Sequence, residues 1–285
     1  MKITYLTLFP DLIQGYLNES FIKKAQQIDK LQCEVVNIRD YSDNNYKSVD
    51  EKPYGGGDGL ILRQDIADSI YKQIEKSASG AKRISLYASP QGRRLDQQFL
   101  SELLKYDEII ILNGRYGGVD QRIINQYIDQ EFSIGDFVLN GGELASLALT
   151  EGLVRLMPGV LGDFNSAVED SFYSGLLECP QFTKPIQGQN AQSVPEILRS
   201  GNHPEIAKWK KAIAMIVTYL KKPELFYAYM KMNTITEKDK NSIAKILNNL
   251  SNEDLQTLGL KKDRVLNFLK EFNEFEVQKR GKNET

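Results

Sequence analysis

Two glycine-rich stretches carry the residue types best suited to holding a ligand. They are Gly114-Arg-Tyr-Gly-Gly-Val-Asp-Gln-Arg122 and Ser133-Ile-Gly-Asp-Phe-Val-Leu-Asn-Gly-Gly-Glu-Leu144. Each follows an apolar run, Ile109–Leu112 and then Phe132 with Ile134, and each leads into a helical pattern. Glycine lets the main chain approach a ligand that any Cβ would push away. A lone glycine pair would read as an ordinary turn; two long clusters ending neighbouring strands favour a backbone-lined pocket. Neither is a G-x-G-x-x-G fingerprint after a strand, and no G-x-x-x-x-G-K-[ST] triphosphate loop occurs, which sets a nicotinamide-dependent oxidoreductase aside. Pro53-Tyr-Gly-Gly-Gly-Asp-Gly59 is a third cluster, whose plain reading is a surface loop. Ser89-Pro-Gln-Gly92 reads as a tight turn. A single histidine, His203, argues against a Ser-His-Asp triad, and the separated Cys33 and Cys179 argue against a zinc site.

The elements that must position these clusters alternate along the first part of the chain. Strands are predicted at Ile3–Phe9, Cys33–Ile38, Ile84–Ala88, Glu108–Leu112 and Glu131–Ile134. Helices are predicted at Asp11–Gln27, Gln64–Ser77, Leu95–Leu104, Gln121–Tyr127 and Gly142–Leu156. Alternation of this kind implies a parallel sheet covered by helices. Ligands of open α/β sheets bind beyond the carboxyl ends of the strands, where the glycine clusters fall. After Pro158-Gly159 the pattern changes to a polar linker, and from Ser193 onward the chain reads as helical. Asn202 or His203 precedes Pro204, a favoured first helical residue, ahead of an amphipathic run through Ile206, Trp209, Ile213, Ile216 and Leu220. Thr236 with Asp239, and Ser251 with Asp254, resemble capping-box starts. The expected division is residues 1–161 as an α/β domain, 162–176 as a linker and 177–285 as a helical domain with an extended tail.

The balance of charge changes along the chain. Residues 1–170 hold 18 Lys and Arg against 25 Asp and Glu; residues 171–285 hold 18 against 13. Residues 181–222 alone hold 7 basic and 2 acidic side chains. A basic segment on an acidic body is an expected footprint for phosphate, with a solvated helix face as the plain alternative. Trp209, among Lys208, Lys210 and Lys211, offers a stacking surface for a base, although a lone tryptophan more often packs into a core. The opening residues form too short an apolar run for a signal peptide, and no stretch approaches the length of a membrane span. Two cysteines without a disulfide pattern fit a reducing compartment, so a cytoplasmic protein without a membrane partner is expected.

Taken in order, these blocks resemble the bacterial tRNA (guanine-N1)-methyltransferase family. The matching pieces are Pro53–Gly59, Ser89–Gly92, Gly114–Arg122, Ser133–Leu144, Arg155–Gly162, Glu169–Phe172, Gly175–Pro180 and Leu198–His203 with Trp209. The resemblance covers roughly residues 1–226; residues beyond Met230 look like a longer helical tail than the family needs. It implies a SPOUT-class, trefoil-knotted α/β methyltransferase domain followed by a small all-α domain. It also implies a homodimer and a tRNA anticodon stem-loop as substrate, methylated on N1 of the guanosine 3′ to the anticodon. S-adenosyl-L-methionine would meet Tyr87, Ser89, Gly114, Tyr116, Ile134, Gly135, Asp136, Phe137, Val138, Leu139, Gly141 and Gly142. The resemblance places the general base at Asp170, a carboxylate suited to the task if burial raises its proton affinity, with Arg155 offsetting charge on guanine O6 or on Asp170. Without it, Asp170 reads as a linker aspartate and Arg155 as a solvated charge ending a helix. Gly59, Ser171, Arg199, Asn202, His203, Lys208 and Trp209 are the residues expected to meet tRNA.

The chain departs from the family pattern in places. Gly117 stands where the family carries glutamate, Gln121 replaces a second glutamate, and Asp58 replaces a proline of the substrate loop. Gln181-Phe-Thr-Lys-Pro185 replaces His-Tyr-Thr-Arg-Pro. The resemblance associates the first glutamate with magnesium; Gly117 removes that oxygen ligand and argues against a metal here. Two rival readings follow: a SPOUT relative acting on a different RNA or purine, and a catalytically silent RNA-binding paralogue.

Overall fold

The computed structural model describes residues 1–76, 80–161, 170–188 and 192–275, and its contacts divide the chain into residues 1–167 and 168–285. Residues 162–169, within the expected linker and including Glu169, lie outside the described residues.

The first unit is built on five parallel strands. In chain order they are β1 (Lys2–Thr7), β2 (Gln32–Asn37), β5 (Arg83–Arg94), β6 (Glu108–Leu112) and β7 (Gln130–Ser133), lying side by side as β2-β1-β6-β5-β7. The short antiparallel pair β3 (Asp50–Glu51) and β4 (Ile61–Leu62) stands apart. Glu108-Ile-Ile-Ile-Leu112 is buried at every position, as a central parallel strand must be when helices cover both faces. Its side chains alternate between two cores. Ile109 and Ile111 join Ile3 and Tyr5 beneath helices α1 (Pro10–Leu17), α2 (Ser20–Gln27), α4 (Gln97–Leu103) and α6 (Glu143–Arg155). Ile110 and Leu112 join Leu6 beneath α3 (Gln64–Lys76) and α5 (Gln121–Tyr127).

Two elements differ from the sequence reading. The single helix expected over Asp11–Gln27 is two, because Ser20 takes a positive φ of 51° after polar Asn18-Glu19. The break lets Ile13 and Leu17 from one helix, and Ile22 and Ala25 from the other, reach the same core. The strand expected to stop at Ala88 continues to Arg94. Its pairing with β7 shifts register between Ala88 and Arg93, so the segment read as a tight turn is an irregularity inside a strand. Gly92 makes this possible: a Cβ there would lie 2.3 Å from Phe132 N.

The second unit contains α7 (His203–Lys221), α8 (Pro223–Met232), α9 (Glu237–Asn248), α10 (Asn252–Thr257) and α11 (Lys262–Glu274). Asn202 caps α7, accepting from Glu205 N at 3.4 Å, and both capping boxes form as their spacing predicts. Phe226, Phe268 and Phe272 are fully buried, and the Tyr219 and Tyr227 hydroxyls both donate to Glu271, at 2.6 and 2.9 Å.

Gly92→Val is expected to destabilise the first unit by about 3 kcal/mol or more, since the added bulk meets backbone rather than a movable side chain. A urea titration followed by far-ultraviolet circular dichroism checks this; a midpoint equal to wild type would show that the strands can separate there.

Candidate functional site

Two segments that follow the carboxyl ends of β6 and β7, with a third inside β5, enclose a cleft of ≈ 430 Å³. One wall is Gly114–Val119 after β6, the facing wall is Ser133–Gly142 after β7, and the irregular part of β5 supplies Ser89, Pro90 and Gln91. All the residues expected to meet the cofactor line this cleft except Asp136. Its size falls in the range of small-molecule sites, and its lining mixes backbone groups with the apolar side chains of Ile134, Phe137, Val138 and Leu139. Tyr87 is 8% exposed, and burial, reinforced by nearby Glu131, raises its phenol above the ordinary value, so its hydroxyl stays neutral. A Cβ at Gly114 would lie 2.8 Å from that hydroxyl, so glycine is needed there to admit Tyr87.

The two walls are held together. Gly142 N donates to Gly114 O at 3.0 Å, and Ser146 Oγ donates to Asn113 Oδ1 at 2.5 Å. Arg115, which also lines the cleft, stands 3.0 Å from Glu143 through Nε and Oε2. Glu143 is 1% exposed and accepts from Thr7 Oγ1 at 2.8 Å. The sequence reading passed over this pair. Its one signal is that Arg115 and Glu143 sit inside the two glycine clusters, and nothing local says that they meet. Gly141 also has a different reason than expected: its Cβ would meet Arg115 Nε at 2.3 Å and Glu143 Oε2 at 2.6 Å, so the first clash is with protein.

Gly59, exposed and at φ 92°, lies beside Gly117, whose N–H donates to Leu60 O at 3.0 Å. A Cβ at Gly117 would lie 3.1 Å from both Leu60 O and Ile61 Cγ2, so the loop after Gly59 packs where a longer residue would project. Gly117 itself offers no side-chain ligand for a metal. Arg155 is the last residue of α6, half-buried in the first unit, where a cation also suits the helix terminus. Asp170 opens the second unit and is half-buried. Ser171 Oγ accepts from Glu178 N at 3.0 Å, pinning a turn in which Phe172 takes a φ of 76°.

Within the second unit, Arg199, Lys208 and Trp209 line one groove of ≈ 690 Å³. Arg199 and Lys208 are exposed, and Lys208 pairs with Glu205 at 2.7 Å. Trp209 is 6% exposed and belongs to the helical core, the commoner fate of a lone tryptophan, so little of its ring is open for stacking. Asn202 and His203 are exposed at the start of α7, outside that groove's lining.

A backbone-rich cleft beyond the carboxyl ends of a parallel sheet defines an α/β protein that binds a small molecule at its strand ends. The family model for tRNA (Guanine-1)-methyltransferase TrmD matches residues 1–228, and the chain belongs to that family, which is of the SPOUT class. A tRNA (guanine-N(1)-)-methyltransferase of Bacillus subtilis is 42% identical over 245 residues, covering 86% of this chain and 98% of the relative. Those of Bacillus licheniformis and Geobacter sulfurreducens are 44% and 43% identical, each over 80% of this chain and over 93% and 91% of their own lengths.

Gly141→Val is expected to displace Arg115 and distort the cleft edge, removing calorimetric binding of S-adenosylmethionine while the circular dichroism spectrum is kept. Binding at the wild-type level would show that the edge tolerates the change.

Proposed function

We propose that this chain transfers the methyl group of S-adenosyl-L-methionine to N1 of the guanosine 3′ to the anticodon (position 37) of tRNA. The observation that carries this reading is the cleft at the strand ends, lined by the residues the family resemblance assigns to the cofactor. The lining fits the cofactor: backbone donors and acceptors from the two glycine-rich walls suit a nucleoside, and the apolar side chains among them offer a face for its base. When bound, the cofactor supplies the electrophilic methyl group.

The chain's own residues do the rest. The cleft walls would hold the methyl donor in one place, and a fixed donor lowers the entropic part of the barrier. Asp170 takes the N1 proton as general base, and Arg155 offsets negative charge gathering on O6. The target base leaves the anticodon-loop stack to be reached. Arg199, Lys208, Asn202 and His203 contact the loop backbone, and Gly59 and Ser171 border the base. The homodimer and the trefoil knot belong to the same reading. Support for a partner subunit comes from apolar side chains exposed about the cleft, with Tyr116 at 65%, Phe137 at 57%, Val138 at 89% and Leu144 at 56%. With tRNA as substrate, the reaction takes place in the cytoplasm. Because Gly117 replaces the carboxylate associated with magnesium, transfer proceeds without an added divalent ion.

Labelled methyl transfer to unmodified tRNA transcripts, with G or A at position 37, tests the substrate. Incorporation only into the G transcript is expected, at equal rates with magnesium and with a chelator at constant ionic strength. Labelling of neither transcript would turn the reading toward another RNA. Asp170→Asn should lower turnover by about a hundredfold or more while cofactor affinity is retained. Unchanged turnover would remove Asp170 as the base.

A further inference from the structure

A closed ring of four residues stands behind the cleft. The N–H of Phe9 donates to Thr7 Oγ1 at 3.0 Å, and the Thr7 hydroxyl donates in turn to Glu143 Oε1 at 2.8 Å. Glu143 Oε2 faces Arg115 Nε at 3.0 Å, and the Arg115 guanidinium returns over the Phe9 ring at 4.2 Å. The ring joins three separate parts of the first unit: the end of β1, the loop after β6 and the first turn of α6.

Two features mark this ring as more than core packing. Arg115 Nε and Glu143 Oε2 are buried without a hydrogen bond, so their 3.0 Å approach is an ion pair off the line of a bond. A buried charge pair with unmet hydrogen-bonding capacity is a poor source of stability, and apolar residues of similar volume commonly serve as well or better. The same two side chains also set the position of a cleft wall. A Cβ at Gly141 would lie 2.3 Å from Arg115 Nε and 2.6 Å from Glu143 Oε2, so both side chains occupy the space beside that wall, and Arg115 and Gly141 bridge through their backbones.

We propose that Arg115 and Glu143 are a positioning pair that fixes the distance between the two glycine-rich walls, and hence the fit of S-adenosylmethionine. The proposal rests on the cofactor reading above. Glu143 acts from behind the wall and does not touch the reacting atoms. Thr7 sets the orientation of its carboxylate, and Arg115 transmits that position to the backbone of Gly141. Losing the pair lets the walls drift by a fraction of an ångström, enough to weaken a nucleoside contact.

The test is the double variant Arg115→Met with Glu143→Gln, which removes both charges and leaves neither one buried alone. It is expected to fold, with a thermal midpoint lowered by a few degrees at most, since the amide that replaces the carboxylate keeps the acceptor for Thr7 but leaves its N–H unpaired. Its Kd for S-adenosylmethionine by calorimetry should rise about tenfold or more, with KM for the tRNA transcript unchanged. Wild-type cofactor affinity in the folded double variant would overturn the proposal. If that variant is insoluble, Thr7→Val removes the hydroxyl that donates to Glu143 and accepts from Phe9 N–H, without altering either charge. It should weaken cofactor binding several-fold, with Thr7→Ser restoring it; an unaltered Kd in Thr7→Val would likewise overturn the proposal. Wild-type protein is titrated first. Absence of binding there refutes the cofactor reading itself, a result distinct from variant and wild type binding alike.

Discussion

The approach of the Gly92 backbone to that of Phe132 is the constraint on which the cleft depends. Strand β5 pairs with β7 up to Ala88, leaves register and pairs again at Arg93 and Arg94. Leu95 N then donates to Ser133 O at 2.8 Å, tying the far side of the irregularity to the end of β7. With both sides tied to the same short strand, Ser89, Pro90 and Gln91 have nowhere to go but outward, over the carboxyl ends of the sheet. There they become the third side of a cleft whose other two sides follow β6 and β7. A side chain at position 92 would separate the strands and lower that third side. The ligand site is therefore a consequence of sheet register, and the loop residues at its rim inherit their positions from it.

Charge is used differently in the two units. In the first, Arg115 of the cleft wall is joined to the buried Glu143, and the walls mix backbone groups with apolar side chains. Backbone donors and acceptors of this kind suit the neutral base and sugar of a nucleoside. In the second, Arg199 and Lys208 stay exposed at the surface of a groove. Exposed cations lose little on meeting phosphate and act at a distance within the screening length of the solution. Lys208 already shares its charge with Glu205 at 2.7 Å, so an incoming anion must compete with a partner on the same helix.

What the sequence made legible follows the range of the interactions involved. The apolar run Ile109–Leu112 marked a strand, and Thr236–Asp239 and Ser251–Asp254 marked helix starts, because a short apolar run or a cap is decided within a few residues. The glycine clusters pointed to the cleft because close packing at its walls, as of Gly114 on Tyr87 and Gly141 on Arg115, leaves its trace in composition. The shift of register at Ala88–Arg93 left no such trace: Ser-Pro-Gln-Gly is also good turn chemistry, and only the tether to β7 converts it into strand. The break at Ser20 was hidden because apolar residues continue on both sides of it. Arg115 and Glu143 were passed over for the same reason of distance, 28 residues apart in sequence and joined only when β6 and α6 are in place.

The chain beyond residue 228, where the family match ends, is continuous with the helical core before it. Phe226 lies within the match, and its ring centroid is 5.6 Å from that of Phe268 on α11. Glu271, also on α11, receives hydroxyls from Tyr219 and Tyr227, both within the match. Lys240 on α9 is 4% exposed and turns its ammonium to the backbone carbonyls of Asn273 and Phe275, which close the last turn of α11. A buried ammonium is tolerated only when its donors are met, and here carbonyls at a helix terminus meet them with the favourable end of the dipole. These helices thus share one hydrophobic core with α7 and α8, and they supply part of the wall of the groove that holds Arg199 and Lys208. The surface beside the exposed cations is therefore set in part by residues beyond the family match.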